Sequence, residues 1–325
     1  MAAAESDELV GLEEIRAARE RIAPYIHHTP LMSATALGER VGARLLLKAE
    51  LFQKTGSFKP RGAVNKLLSL SDEERSRGVI SISAGNHAQG VAYAAGILGV
   101  AATVVMPATV VRAKAEATRG YGAEVILHGA HHELLPKAQE IQAERGLTFV
   151  APFDDPYVIA GQGTVGLEVM EDAPEELDAV IVPVGGGGLI SGVAAAVKGV
   201  NPRTRVIGVE PDGSATMLKS LRAGAAAQAD PPHTIADGLA APFVGALNYA
   251  HTRAFVDDVV LVTDDEIVAA MHLLMERAKL LPEPSGAAAY AALLAGKVAD
   301  LPRDARVAAI VSGGNLDRSR LKELL

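Results

Sequence analysis

The chain has no cysteine and no tryptophan, and aromatic residues fill only 4% of its 325 positions. Without cysteine, disulfides, thiolate metal sites and cysteine nucleophiles are excluded together. Aliphatic side chains must therefore build the core, because 49% of the residues are hydrophobic. No dense basic block occurs, and the formal charge of −8 argues against nucleic acid as a partner. The N-terminal residues 1–8 are acidic and lack an apolar stretch, so they do not read as a signal peptide. A cytoplasmic location is expected. Residues 91–111 and 179–197 carry no charge and are long enough to imitate membrane spans. Glycine and proline interrupt both, which fits a helix and a buried strand joined by a turn, and no membrane partner is expected. No metal is expected either. His128, His131 and His132 cluster, but Glu133 alone accompanies them, as at a solvated helix start.

What is present is a regular alternation. The length allows two domains or one large α/β domain. An amphipathic helix is expected over 8–22, and Ser71-Asp72-Glu73-Glu74 has capping-box spacing. Short apolar runs at 79–82, 102–105, 124–127 and 148–150 alternate with helical periodicity at 86–98, 112–121 and 131–145. A second series follows, with a helix over 158–172, a strand 179–184, a helix 189–200 and a strand 206–210. A strand over 255–262, helices over 264–279 and from Ser285, and a strand 307–311 complete it. This predicts an α/β protein with two doubly wound, open-sheet domains. The smaller, 75–150, is inserted into a larger one made of 1–74 and 151–325.

Lys54-Thr55-Gly56-Ser57-Phe58-Lys59-Pro60-Arg61-Gly62 joins the apolar run 45–47 to a helical run that begins at Ala63. Ser57 is a candidate N-cap, and Pro60 suits a first turn, whose amides have no intrahelical partner. Lys59 then lies where the helix dipole disfavours a cation. Its amine is a candidate nucleophile or Schiff-base former. The same local pattern also fits an ordinary surface lysine on an amphipathic helix.

Three strand-to-helix turns carry unusual residues: Ser83-Ala84-Gly85-Asn86-His87, Gly185-Gly186-Gly187-Gly188-Leu189 and Ser312-Gly313-Gly314-Asn315. In open parallel sheets, ligands bind at the carboxyl ends of strands. Four glycines let amides converge on an anion ahead of a helix N-terminus, so the second turn reads as a phosphate site. A tight turn alone needs one or two glycines. A dinucleotide is an alternative ligand, since Glu210 ends the next strand where a ribose-binding acid sits. Yet no register of the loop satisfies G-x-G-x-x-G, and no Walker A lysine follows.

Taken together, the first-turn lysine, the tetraglycine turn, the Asn86 loop and Ser312 resemble the fold-type II pyridoxal-phosphate enzymes. The resemblance is to the threonine dehydratase and serine racemase branch, and it covers nearly the whole chain. It implies a tryptophan synthase β-like fold, pyridoxal 5'-phosphate as cofactor, a small β-hydroxy amino acid as substrate, and a homodimer. It further implies that Lys59 bonds to the cofactor and removes the Cα proton, with Phe58 packed beside the ring. Asn86 would meet the phenolic oxygen, and Gly185, Gly186, Gly187, Gly188 and Leu189 the phosphate. Ser312 would face the pyridine nitrogen, and Gly238 the flat face of the cofactor. Ser83, Ala84, Gly85, Asn86 and His87 would receive the substrate carboxylate. A serine opposite the pyridine nitrogen makes the ring a weaker electron sink, which suits β-elimination.

Departures choose between branches. Racemases of this family place a second serine, acting as base, where this chain has Ala84. Their cation site pairs a strand-end acid with an acid six residues on, but here Glu210 is followed by Thr216. The expectation is a dehydratase (ammonia-lyase) of L-threonine or L-serine that releases a 2-oxo acid and ammonia. A serine racemase, or a dehydratase of 3-hydroxyaspartate or phenylserine, is the alternative. The chain ends ten residues after Asn315, so no C-terminal regulatory domain is expected.

Overall fold

A computed structural model describes residues 9–228 and 230–324. Glu8, the expected start of the first helix, lies outside the described residues, and that helix runs Leu12–Ile22. The strands are β1 (Leu31–Ser33), β2 (Ala43–Ala49), β3 (Val79–Ile82), β4 (Ala102–Met106), β5 (Glu124–Leu127), β6 (Thr148–Phe149), β7 (Ala179–Pro183), β8 (Arg205–Pro211), β9 (Asp258–Val262) and β10 (Ala305–Val311). They form a six-stranded sheet of order β1-β2-β10-β7-β8-β9 and a four-stranded sheet of order β5-β4-β3-β6. β1 runs antiparallel to β2, and all other neighbours are parallel.

Burial on both faces explains the uncharged runs. In β7, Ala179 and Ile181 join one core cluster, while Val180 and Val182 join the other. β10 divides in the same way, with Val307 and Ala309 on one side and Ala308 and Ile310 on the other. Successive strand side chains point to opposite faces, and helices cover both, so neither face selects polar residues. The helix Pro284–Leu294, with buried Tyr290, covers one face and Gly188–Val200 the other. Among the described residues no helix is long and apolar enough to cross a membrane.

The helix Lys59–Ser69 lies between the two sheets. Ala63, Val64 and Leu67 pack with Val79, Ala88 and Val91 on the four-stranded side. On the other side its backbone meets the helix Pro156–Asp172, where a Cβ on Gly161 would lie 2.5 Å from the Arg61 carbonyl oxygen. The glycine is what lets the two backbones touch.

Several local expectations fail for non-local reasons. The Ser71 capping box forms as read, but Ser57 does not cap the lysine helix. Its backbone is extended, its hydroxyl has no partner, and Phe58 takes the cap position. A bridge to Gly313 holds Ser57 in that extended form. The strand read from Phe255 begins at Asp258, because Ala246–Phe255 is a helix. The carboxylate of Asp154 accepts from the Ala246 and Leu247 amides at 3.2 and 3.1 Å, a cap supplied from more than 90 residues away. The helix from Asp264 stops at Leu273, and a π-helical turn, Leu274–Ala278, leads to Lys279 at φ 59. β1 and the helix Thr35–Val41 are too short for periodicity to reveal.

Candidate active site

The lysine turn is stitched to the end of β10. The Phe58 amide donates to Ser312 O at 3.1 Å, and the Gly314 amide to Gly56 O at 2.9 Å. Lys59 Nζ donates to the Pro152 carbonyl at 2.9 Å and lies 5.2 Å from the Phe58 ring centroid. By surface the residue is part-exposed, but its amine is enclosed, and burial lowers its pKa to about 8. Desolvation is the cause, and Lys59 also opens the helix Lys59–Ser69, where the dipole disfavours a cation as the sequence leads one to expect. The chemical result is the same: an amine that is readily neutral and nucleophilic. The helix Asn86–Leu98 backs onto this lysine, since a Cβ on Gly90 would lie 3.1 Å from Lys59 Cβ.

Each glycine of the tetraglycine turn has its own reason. Gly187 has φ 103, a conformation that favours glycine. A Cβ on Gly186 would lie 2.4 Å from the Phe153 ring, and one on Gly188 2.9 Å from Phe153 Cβ. A Cβ on Gly185 would come within 3.2 Å of Gly238 O. Gly186 to Leu189 are buried. Among the described residues, the amides of Gly185, Gly186, Gly187, Gly188 and Leu189 donate to no protein acceptor. Buried donors at a helix start that lack an acceptor fit an anion such as phosphate.

Asn86 opens its helix beside the lysine. Its Nδ2 donates to Glu283 Oε1 at 2.6 Å, and its Oδ1 accepts from Asn315 Nδ2 at 2.8 Å. Glu283 is buried, and burial, followed by the nearby charge of Asp237, pushes its carboxyl up to about 7. Ser312 follows β10, and its hydroxyl lies 3.4 Å from Ser285 O. The Ser285 hydroxyl is buried without a partner, and a Cβ on Gly238 would lie 2.7 Å from it. The hydroxyls of Thr55 and Ser57 in the lysine turn, and of Ser285, are buried without a partner, and unpaired polar atoms next to the candidate site residues fit a polar ligand.

Two candidates stand apart from this cluster. The His87 ring turns to the Val150 carbonyl, 3.3 Å away. Burial, then the Lys59 charge, lower its pKa to about 3, so it stays a neutral packing group. The other residues of its loop, Ser83, Ala84 and Gly85, are part-exposed, and the Ser83 hydroxyl accepts from the Gly85 amide at 3.0 Å. Glu210 caps the helix Thr216–Ala223, its two oxygens accepting from the Met217 and Leu218 amides at 2.7 and 2.9 Å. Its oxygens are thus committed to backbone, which removes the ribose-binding acid of the dinucleotide reading. Among the described residues no group of three or more histidine, aspartate or glutamate side chains could hold a metal ion.

Sequence reasoning misses Glu283, Ser285 and the partners of Arg61. Glu283 is the one charged residue in 280–296 and stands between Pro282 and Pro284, a signal that could have singled it out. Arg61, two residues after the lysine, is wholly buried. It donates to Glu50 Oε2 at 2.8 Å and Glu168 Oε1 at 2.7 Å, and Lys48 meets Glu168 Oε2 at 2.6 Å. Two cations and two carboxylates thus balance inside the protein and tie the lysine helix to its neighbours.

A family model described as pyridoxal-phosphate dependent enzyme matches residues 22–313. An L-threonine ammonia-lyase of Thermotoga maritima is 46% identical over 318 residues, covering 98% of this chain and 78% of that protein. A catabolic L-threonine dehydratase of Escherichia coli strain K12 is 45% identical, covering 97% and 96%. Among solved structures, maize serine racemase superposes with a TM-score of 0.93 at 42% identity, covering 97% of each chain. A threonine deaminase from T.th. superposes with a TM-score of 0.89 at 45% identity, covering 94% of this chain and 99% of that one. With this architecture, an enclosed lysine and a glycine turn of unpartnered amides, the chain belongs to the pyridoxal-phosphate dependent enzyme family, fold type II.

Proposed function

We propose that this protein is a pyridoxal-phosphate-dependent ammonia-lyase converting L-threonine or L-serine to a 2-oxo acid and ammonia by β-elimination. The observations that carry the reading are an enclosed, readily neutral Lys59 amine and a glycine turn of five amides that have no protein acceptor, four of them on buried residues. The relatives named for threonine deamination support it. When bound, the cofactor supplies the electron sink that allows a Cα–H bond to break. Lys59 holds the cofactor and then carries the Cα proton, while Gly185, Gly186, Gly187, Gly188 and Leu189 hold the phosphate. Phe58 packs beside the ring, Gly238 leaves room at its face, Asn86 donates to its phenolic oxygen and Ser312 faces its nitrogen. Ser83, Ala84, Gly85 and Asn86 hold the substrate carboxylate, with His87 packed behind them.

The similarity to a serine racemase raises that alternative, and Ala84 weighs against it. Racemisation needs a proton carrier on each face of Cα, and alanine has none to offer. We assign the four-stranded sheet to a smaller domain, 75–150, that closes over substrate bound to the larger one. Lys114 already reaches Asp237 across that gap at 2.6 Å. We take the enzyme to be a cytoplasmic homodimer.

Borohydride reduction of the holoenzyme and peptide mapping should place the cofactor label on Lys59. A keto-acid assay over L-threonine, L-serine, 3-hydroxyaspartate and phenylserine should favour the first two. Label on another lysine, or no product from threonine and serine, would overturn the assignment.

A further inference from the structure

We propose that Glu283 is a positioning residue: by accepting from Asn86 it fixes which end of the Asn86 amide faces the cofactor. The inference rests on the reading above, in which Asn86 donates to the phenolic oxygen.

A side-chain amide has a donor end and an acceptor end of nearly the same shape, so its partners alone set its direction. Here the partners form a directed chain. The Thr55 carbonyl can only accept, so the Asn315 group 2.7 Å from it is the NH2. That NH2 also lies 2.8 Å from Asn86, whose facing end must therefore be its carbonyl oxygen. Asn86 is left presenting its own NH2 to Glu283 Oε1 at 2.6 Å. One N–H is used there, and the second is free to serve the site. Asn315 fixes the acceptor end and Glu283 the donor end.

Glu283 is itself held rigidly. Prolines flank it, its amide donates to Gly313 O at 3.1 Å, and a Cβ on Gly313 would lie 2.6 Å from its Oε1. Among the described residues no lysine, arginine or histidine pairs with it. Lys114 faces it from the helix Arg112–Gly120, but that ammonium is taken by Asp237, the other acid that faces it. The Asn315 backbone N–H also donates to this carboxyl, so its partners are an amide side chain and a backbone amide, and a buried carboxyl with neutral partners in place of a cation costs stability. Burial and Asp237 push it up to about 7, so its charge changes in the working pH range.

The test uses holoenzyme carrying Glu283→Gln, Glu283→Asp, Asn86→Ala, and Glu283→Gln with Asn86→Ala. Two readouts are independent of turnover: release of cofactor on dilution, and the pH dependence of the visible band of bound cofactor. Glu283→Gln should weaken cofactor retention about tenfold and remove the inflection near pH 7. In the Asn86→Ala background the same substitution should change retention less than about twofold. Glu283→Asp keeps the charge and should keep the inflection. Equal effects in both backgrounds would overturn the proposal, as would an unchanged inflection in Glu283→Gln. Should the glutamine variant fail to fold, Glu283→Asp carries the same cycle. If the unmodified protein fails to bind cofactor on Lys59, the functional reading falls first and this inference with it.

Discussion

Phe153 sits so close to Gly186 that a Cβ on the glycine would lie 2.4 Å from its ring. The residue before it, Pro152, is the one whose carbonyl accepts from Lys59 Nζ at 2.9 Å. One short segment between β6 and the helix Pro156–Asp172 therefore sets both the lysine and the glycine turn.

Gly186→Ala should accordingly push the turn away from Phe153. Overpacking of this kind costs about 1–3 kcal/mol, and retention of pyridoxal phosphate on dialysis should fall by about tenfold or more. Phe153→Leu in the same chain should recover part of the loss. Normal retention by Gly186→Ala would show that the turn has slack.

The Lys59 amine should react as a neutral nucleophile at lower pH than the other lysines. Burial disfavours the cation, so its neutral fraction reaches one half at about pH 8, whereas a solvated lysine needs about pH 10.4. Cyanate labelling of cofactor-free protein across pH, read peptide by peptide by mass spectrometry, checks this. A Lys59 midpoint alongside the surface lysines would contradict it.

Arg61→Met should destabilise the fold strongly without touching the reacting groups. It leaves Glu50 and Glu168 facing each other with Lys48 as the remaining buried cation. Breaking a buried pair on one side costs about 3–5 kcal/mol. Urea unfolding should show the loss as a lower midpoint with an unchanged slope.

Ala84→Ser should raise racemisation while dehydration survives. Elimination uses one face of Cα, and the new hydroxyl supplies a proton carrier on the other. A general acid or base contributes about 10²–10⁴-fold, so D-serine from the unmodified enzyme should lag keto acid by that order. Chiral chromatography of L-serine incubations measures both. Substantial D-serine from the unmodified enzyme would count against the dehydratase assignment.

Much of the frame was legible because it is local. Strands β3, β7 and β10 are apolar runs buried on both faces, and the turns after them carry glycine, asparagine and serine that periodicity alone does not call for. What stayed hidden is non-local. Ser57 looks like a cap until Gly313 pairs with it. The helix Ala246–Phe255 depends on Asp154. Glu283 acquires its meaning from Asn86, 197 residues earlier. For Lys59 the first-turn position was legible, but its enclosure by Pro152 and Phe58 cannot be read from the first turn of a helix.

β10 lies in the middle of the larger sheet, between β2 and β7, yet it is the last of the described strands in the chain. During synthesis, β1-β2 and β7-β8-β9 share no neighbour until residues 305–311 leave the ribosome. The four-stranded sheet, drawn from 79–149, can form early from near-neighbour contacts. The lysine turn must wait, because Asn315 anchors Thr55 across 260 residues and such distant contacts form slowly. The contacts that fix the lysine turn, from Ser312, Gly313, Gly314 and Asn315, are therefore available only after the last described strand has been made.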